Sequence, residues 1–290
     1  MVNFKAFAIL VIVATGVFIV ALSSLAADDQ EQQIITVSDA AQLPSFIDDS
    51  GVEPLSSQPS GDHLPLMIRW SNWRPEFGPS YVYARERDLS GMLALDAPVE
   101  KMLMVTSYAE VQRAVERANE LQAAGITTIG FNSENGTGMT PGNEMQTLNS
   151  PDPEVNVVAR AAKLATGNGF EMMWGPVRRT VDSLSDEAVR TMISAGVSGL
   201  AMQEQKFIET QGADSRLTAV MRSRDRYLRL AREVGVDDFT FHVQIMHQRC
   251  PNMPNCVTFV EGLEDIPVDS IAIWSNGPIP VDFVKAIRME

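Results

Sequence analysis

Two carboxylates carry most of the chemistry this chain offers. Glu134 ends the apolar run Ile126-Thr127-Thr128-Ile129-Gly130-Phe131-Asn132-Ser133, and Glu204 directly follows Val197-Ser198-Gly199-Leu200-Ala201-Met202-Gln203. Two carboxyl groups across one cleft can serve as general acid and base, or as acid and nucleophile, which is how glycosidic bonds are cleaved. Equivalent positions at the ends of apolar runs carry amides and indoles: Asn132, Gln203 and Gln244, with Trp174 and Trp274. Amides pair with vicinal hydroxyls, and an indole stacks on the apolar face of a sugar ring, so the set fits carbohydrate. His242 lies within Phe239-Thr240-Phe241-His242-Val243-Gln244-Ile245 on the polar side of a strict alternation. It reads as a site residue or, equally, as a hydrogen-bonded core histidine.

These residues are far apart in sequence, so a fold must gather them. Short β-branched and apolar runs alternate with helical patterns: Lys101 to Thr106, Ile126 to Glu134, Phe170 to Trp174, Val197 to Gln203, Phe239 to Ile245 and Ser270 to Trp274. Between them fall helices with recognisable starts and stops. Ser107 with Glu110 has the capping-box form, Gly125 and Gly196 close helices, and Asp152-Pro153 opens one. Leu64 to Trp70 and Tyr81 to Ala84 add two more runs, joined by irregular sequence. Successive strand-helix units imply parallel strands with right-handed crossovers, and eight of them favour a closed (β/α)8 barrel whose first two units are irregular. Met172, Met173 and Met202 fall within strands and read as core.

In a barrel the carboxyl ends of the strands converge on one face, which places Glu134, Glu204 and the amides and tryptophans around one mouth. On Gly130-Phe131-Asn132-Ser133-Glu134, Gln203-Glu204 and Trp274, the chain from about Leu64 onward resembles the barrel glycoside hydrolases and related carbohydrate-active barrels. The resemblance implies Glu134 as proton donor and Glu204 as base or nucleophile, with Asn132, Trp174, Gln203, His242, Gln244 and Trp274 lining a carbohydrate site. The chain departs from that pattern in two ways. Ser133 separates Asn132 from Glu134, and the seventh strand carries His242 and Gln244 in place of a second Glu. A non-catalytic glycan-binding or cell-surface barrel is therefore the alternative. A third is a metal-dependent barrel hydrolase or isomerase drawing on Glu134, Glu204 and His242 or His247. No compact ligand spacing and no nucleotide-binding motif supports a metal or a cofactor, and none is expected.

Composition bounds the remainder. A net charge of −14, from 37 acidic against 23 basic residues, argues against a nucleic-acid partner. Residues 1–27 carry a basic start, a long uncharged apolar run and a small-residue end, the pattern of a signal peptide or an N-terminal membrane anchor. Residues 28–62 read as a polar linker or irregular arm, and 63–290 as the barrel-like domain. Export places the protein outside the cytoplasm: secreted, periplasmic or held on the outer face of the membrane. There Cys250 and Cys256, six positions apart and flanking two prolines, read as a disulfide clip. Zinc, with His247 nearby, is the rival for these cysteines. Asn135-Gly136-Thr137 fits an N-glycosylation sequon in the loop after Glu134.

Overall fold

The computed structural model describes residues 64–78, 80–133, 151–204, 212–250 and 253–288, together with two short strands near the amino terminus. Glu134, the sequon at Asn135 and the whole of the 28–62 linker lie outside the described residues. The chain divides into two compact units, Met1–Leu55 and Ser56–Glu290. In the first, Val13–Ala14 pairs antiparallel with Val17–Phe18. Among the described residues no helix is long and apolar enough to cross a membrane.

The second unit is a closed barrel of eight strands. In chain order they are β1 (Leu66–Arg69), β2 (Ser80–Arg85), β3 (Glu100–Val105), β4 (Ile126–Ser133), β5 (Glu171–Pro176), β6 (Val197–Gln203), β7 (Thr240–Met246) and β8 (Ser270–Trp274). Every neighbouring pair is parallel, and β8 closes on β1 through Ala272 opposite Met67. The expected (β/α)8 architecture is therefore what the chain adopts. The first connection contains 3-10 turns at Trp70–Asn72 and Pro75–Phe77, and the second a turn at Glu86–Asp88 followed by the short α1 (Leu89–Leu93). Later units carry α2 (Tyr108–Glu116) and α3 (Ala118–Ala123), α4 (Pro151–Thr166), α5 (Arg178–Ser183) and α6 (Asp186–Ser194). The long α7 (Ala213–Glu233), α8 (Met253–Glu264) and α9 (Val281–Ile287) complete the layer.

Local chemistry explains several of these boundaries. The Glu110 backbone N–H donates to Ser107 Oγ, capping α2, while the Glu110 carboxylate accepts from the Thr106 backbone N–H. The reciprocal bond thus lands one residue earlier than in a strict capping box. One continuous helix is expected there, but the chain breaks at Arg117, with φ −110° and ψ 19°, and α3 follows. The short α5 has no counterpart in the sequence pattern, because its six residues span less than two turns.

Each strand buries both faces. Outward residues such as Leu66, Val82, Leu103, Phe131, Leu200, Val243 and Ile271 pack under the helices in one large core. Inward residues form a second, smaller core of Met67, Tyr83, Met102, Met173, Ala201 and Ala272. The long thioethers fit because β4 offers Gly130 between them. A Cβ there would sit 2.9 Å from Met102 Sδ and 3.2 Å from Met104 Sδ. Gly91 on α1 likewise makes way for the Trp70 ring, which a Cβ would meet at 2.2 Å.

Cys250 and Cys256 form the expected disulfide, with their Cα atoms 5.8 Å apart. Both thiols are thereby used, which removes the zinc reading. His247 packs edge-on against Phe283 at 4.8 Å between ring centroids, and burial lowers its pKa. A disulfide of this kind forms and persists in an oxidising compartment. Closing so short a loop removes roughly 2 kcal/mol of unfolded-chain entropy. The Cys250→Ser/Cys256→Ser variant is expected to lose about that much in denaturant unfolding, and an unchanged midpoint would show that the clip adds no stability.

Candidate functional site

The alternation along each strand decides which side chains reach the lumen. On β7, Thr240, His242 and Gln244 point inward while Phe241, Val243 and Ile245 face the helices. On β6 the inward residues are Ala201 and Gln203, and on β4 they are Gly130 and Asn132. Gln203 stands opposite Gln244 in the ladder, and Asn132 opposite Gly175. At the carboxyl end of the lumen Asn132, Gln244 and Trp274 line one depression with Tyr83, Met67 and Met104. Its volume is about 20 Å³, room for one or two water-sized groups. The connections that leave β4 and β6 at this end fall outside the described residues.

The rim is held by hydrogen bonds between loops. Asn72 Nδ2 donates to the Gly277 carbonyl at 3.1 Å, and Gln248 Nε2 donates to Ser275 Oγ at 2.7 Å. The Asn276 backbone N–H donates to Gln248 Oε1 at 3.3 Å. These bonds tie the segment after β8 to those after β1 and β7, fixing the base of Trp274.

Two expected site residues, Trp174 and Glu204, lie elsewhere. Trp174 is fully buried on the outer face of β5, and its Nε1–H donates to Ser133 Oγ at 2.8 Å. It is barrel-to-helix packing, not a wall of the mouth. Glu204 is also fully buried and turns outward, into the space between β6, α5 and α7. Arg178 Nε lies 3.0 Å from Glu204 Oε1, and Arg216 Nε donates to Oε2 at 2.6 Å, with a further contact from the other Arg216 nitrogen. Arg178 also reaches Asp182 at 2.9 Å and Ser223 Oγ at 3.2 Å. Burial pushes the Glu204 carboxyl up while Arg216 and Arg178 pull it down. The acid expected to face Glu134 across the mouth is instead held between two guanidinium groups behind the barrel wall. Glu134 itself lies outside the described residues.

His242 does reach the lumen, but deeper, level with Ser270 and Ala201. Its Nδ1 shares a 2.7 Å hydrogen bond with Ser270 Oγ, and burial lowers its pKa to about 3, so the ring is neutral. Among the described residues no group of three or more His, Cys, Asp or Glu side chains could hold a metal ion.

Some site residues were not singled out from sequence. Tyr81 and Tyr83 both face the lumen, and the alternation Tyr81-Val82-Tyr83-Ala84-Arg85 is the signal that could have found them. Glu86, just past the end of β2, is paired with Arg113 on α2 at 2.9 Å.

No family model and no curated protein matches this chain. Solved structures do match. An endo-β-1,4-mannanase from Cellulomonas fimi, described with the glycoside hydrolase family 26 mannanases, aligns with a TM-score of 0.50 at 12% identity over 79% of this chain and 70% of that one. The HMG-CoA lyase of Bacillus subtilis gives 0.45 at 12% identity, over 74% of this chain and 77% of the other. D-psicose 3-epimerase of Clostridium cellulolyticum gives 0.42 at 12%, over 77% and 90%. At such identity the likeness to the mannanase concerns the fold, and it establishes a distant resemblance to the (β/α)8 barrels.

Proposed function

We propose that the protein binds carbohydrate at the carboxyl end of its barrel, with Asn132, Gln203 and Gln244 pairing hydroxyls and Trp274 stacking on the ring. The observation that carries this reading is the convergence of three amides and an indole, from four different strands, on one end of the lumen. The hydrolytic form of the reading assigns Glu134 as proton donor. Its expected partner Glu204 is committed to Arg178 and Arg216, and that favours a second reading, binding without hydrolysis. Residues 1–27 serve in either case as the export or anchoring segment and 28–62 as an arm; the disulfide supports export to an oxidising compartment.

The test is glycan binding and turnover of aryl glycosides and polysaccharides, measured together on the full chain and its variants. Trp274→Ala and Gln244→Ala are each expected to weaken binding about tenfold, the effect of losing one stacking or desolvated polar anchor. Glu134→Gln is expected to leave binding intact and, if the protein hydrolyses its ligand, to abolish turnover. A panel on which both binding variants equal the wild type would remove the mouth as the site.

A further inference from the structure

The opposite, amino-terminal end of the lumen holds another cavity, of about 90 Å³. An ordered water needs only about 10–15 Å³, so the space admits several waters or one small ligand. His242 and Met102 form its floor, Tyr81 and Thr128 its wall, and Glu100 and Glu171 its rim. Ser198 and Thr240 add further hydroxyl-bearing side chains.

Several features of this cavity point to a ligand. His242 is 1% exposed, and its Nε2 has no hydrogen-bond partner among the described residues, although Nδ1 is fixed by Ser270. A buried polar atom of this kind normally has a partner. The Tyr81 ring meets the imidazole edge-on at 6.1 Å, holding it toward the cavity. At the rim, neither Glu100 nor Glu171 is ion-paired among the described residues, although Lys101 also lines the space. Burial and then the charge of Glu171 push the Glu100 carboxyl up. Burial, followed by Glu100, Asp269 and Glu171, pushes Tyr81 up to about 12. The pocket is thus electronegative at its mouth, rich in hydroxyls along its wall, and has an unfilled neutral imidazole nitrogen at its floor.

Chemistry narrows the occupant. Anions are repelled by the rim. A resident divalent metal would draw on several clustered carboxylate or imidazole ligands, and no such group exists among the described residues. Water alone would satisfy Nε2 but leave the net negative charge of the rim, two carboxylates against Lys101, without a bound cation. A small organic cation meets each need: its N–H groups reach the carboxylates, and a hydroxyl tail reaches Thr128 and the imidazole.

We propose that the amino-terminal end of the barrel binds a small organic ammonium ion of amino-alcohol size, held between Glu100 and Glu171 with its polar tail toward His242 Nε2. Barrel enzymes place their chemistry at the other end, so this is a ligand site separate from the carbohydrate mouth, and it does not rest on that reading.

Ethanolamine and its uncharged counterpart ethylene glycol are titrated into the full chain at constant ionic strength, followed by calorimetry, thermal unfolding and the His242 imidazole NMR signals. Ethanolamine is expected to bind saturably with Kd of about 1 mM, to raise the midpoint and to shift the imidazole signals, while ethylene glycol does none of these. Glu100→Gln/Glu171→Gln, both at the exposed rim, is expected to fold normally and bind about fivefold more weakly. An equal response to ethylene glycol, an unchanged affinity in that variant, or no saturable response at all would overturn the proposal and leave a water-filled cavity.

Discussion

Glu204→Gln is expected to destabilise the barrel by about 3–5 kcal/mol, because it leaves Arg178 and Arg216 as buried charges without their shared counter-ion. Arg178 is 8% exposed and Arg216 6%, so solvent does little to compensate. In a domain of this size that loss corresponds to a midpoint lower by roughly 10 °C. A concerted Arg178→Met/Glu204→Leu/Arg216→Met variant, which removes all three charges, is expected to keep most of the stability, since a buried ion pair often gains little over apolar packing. Thermal and denaturant unfolding of both variants decides the matter. A Glu204→Gln protein with wild-type stability and selectively lost turnover would restore Glu204 as a catalytic carboxylate. The reading would then need Glu204 to leave its two arginines in the working protein.

Acid should weaken the fold through His242. Its folded-state pKa of about 3 lies well below the ordinary value of 6.5, because burial disfavours the charged ring. The unfolded chain therefore takes up a proton that the folded one refuses. Stability linked to this group is intact above about pH 6.5 and is lost as pH falls from there toward 3. Between pH 7.5 and pH 5 the loss comes to roughly 2 kcal/mol. Glu100 and Asp269, whose carboxyls burial pushes up, work in the opposite sense over the acid range. The informative quantity is thus the pH dependence of the wild type minus that of His242→Gln. Urea midpoints at the two pH values give it directly. A difference near zero would mean that the ring is protonated in the folded barrel, against its burial and its bond to Ser270.

The barrel and its order of elements were legible in the sequence, because each unit announces itself locally. The Ser107 and Ser185 caps, the left-handed glycines Gly125 and Gly196, and the apolar runs between them need no long-range information. The disulfide was legible for the same reason, six positions apart in a short loop. So was the lumen face of β7, where Thr240, His242 and Gln244 alternate with large apolar residues.

Apart from β2, with its alternating Tyr81 and Tyr83, the faces of the other strands were decided by the tertiary structure alone. A parallel barrel strand is buried on both sides, inward against its neighbours across the lumen and outward against helices, so its sequence is apolar throughout and loses the alternation that marks a half-exposed strand. Gln203 and Glu204 are adjacent in sequence, yet one faces the lumen and the other the arginines of α5 and α7. Trp174 and Met173 divide in the same way, outer core against inner. A step of one residue along a strand reverses the direction of the side chain, and nothing local says which parity is inward. The sequence by itself determined that acids, amides and indoles stand at strand ends. Closure of the sheet and the packing of helices around it determined which of them share a cavity.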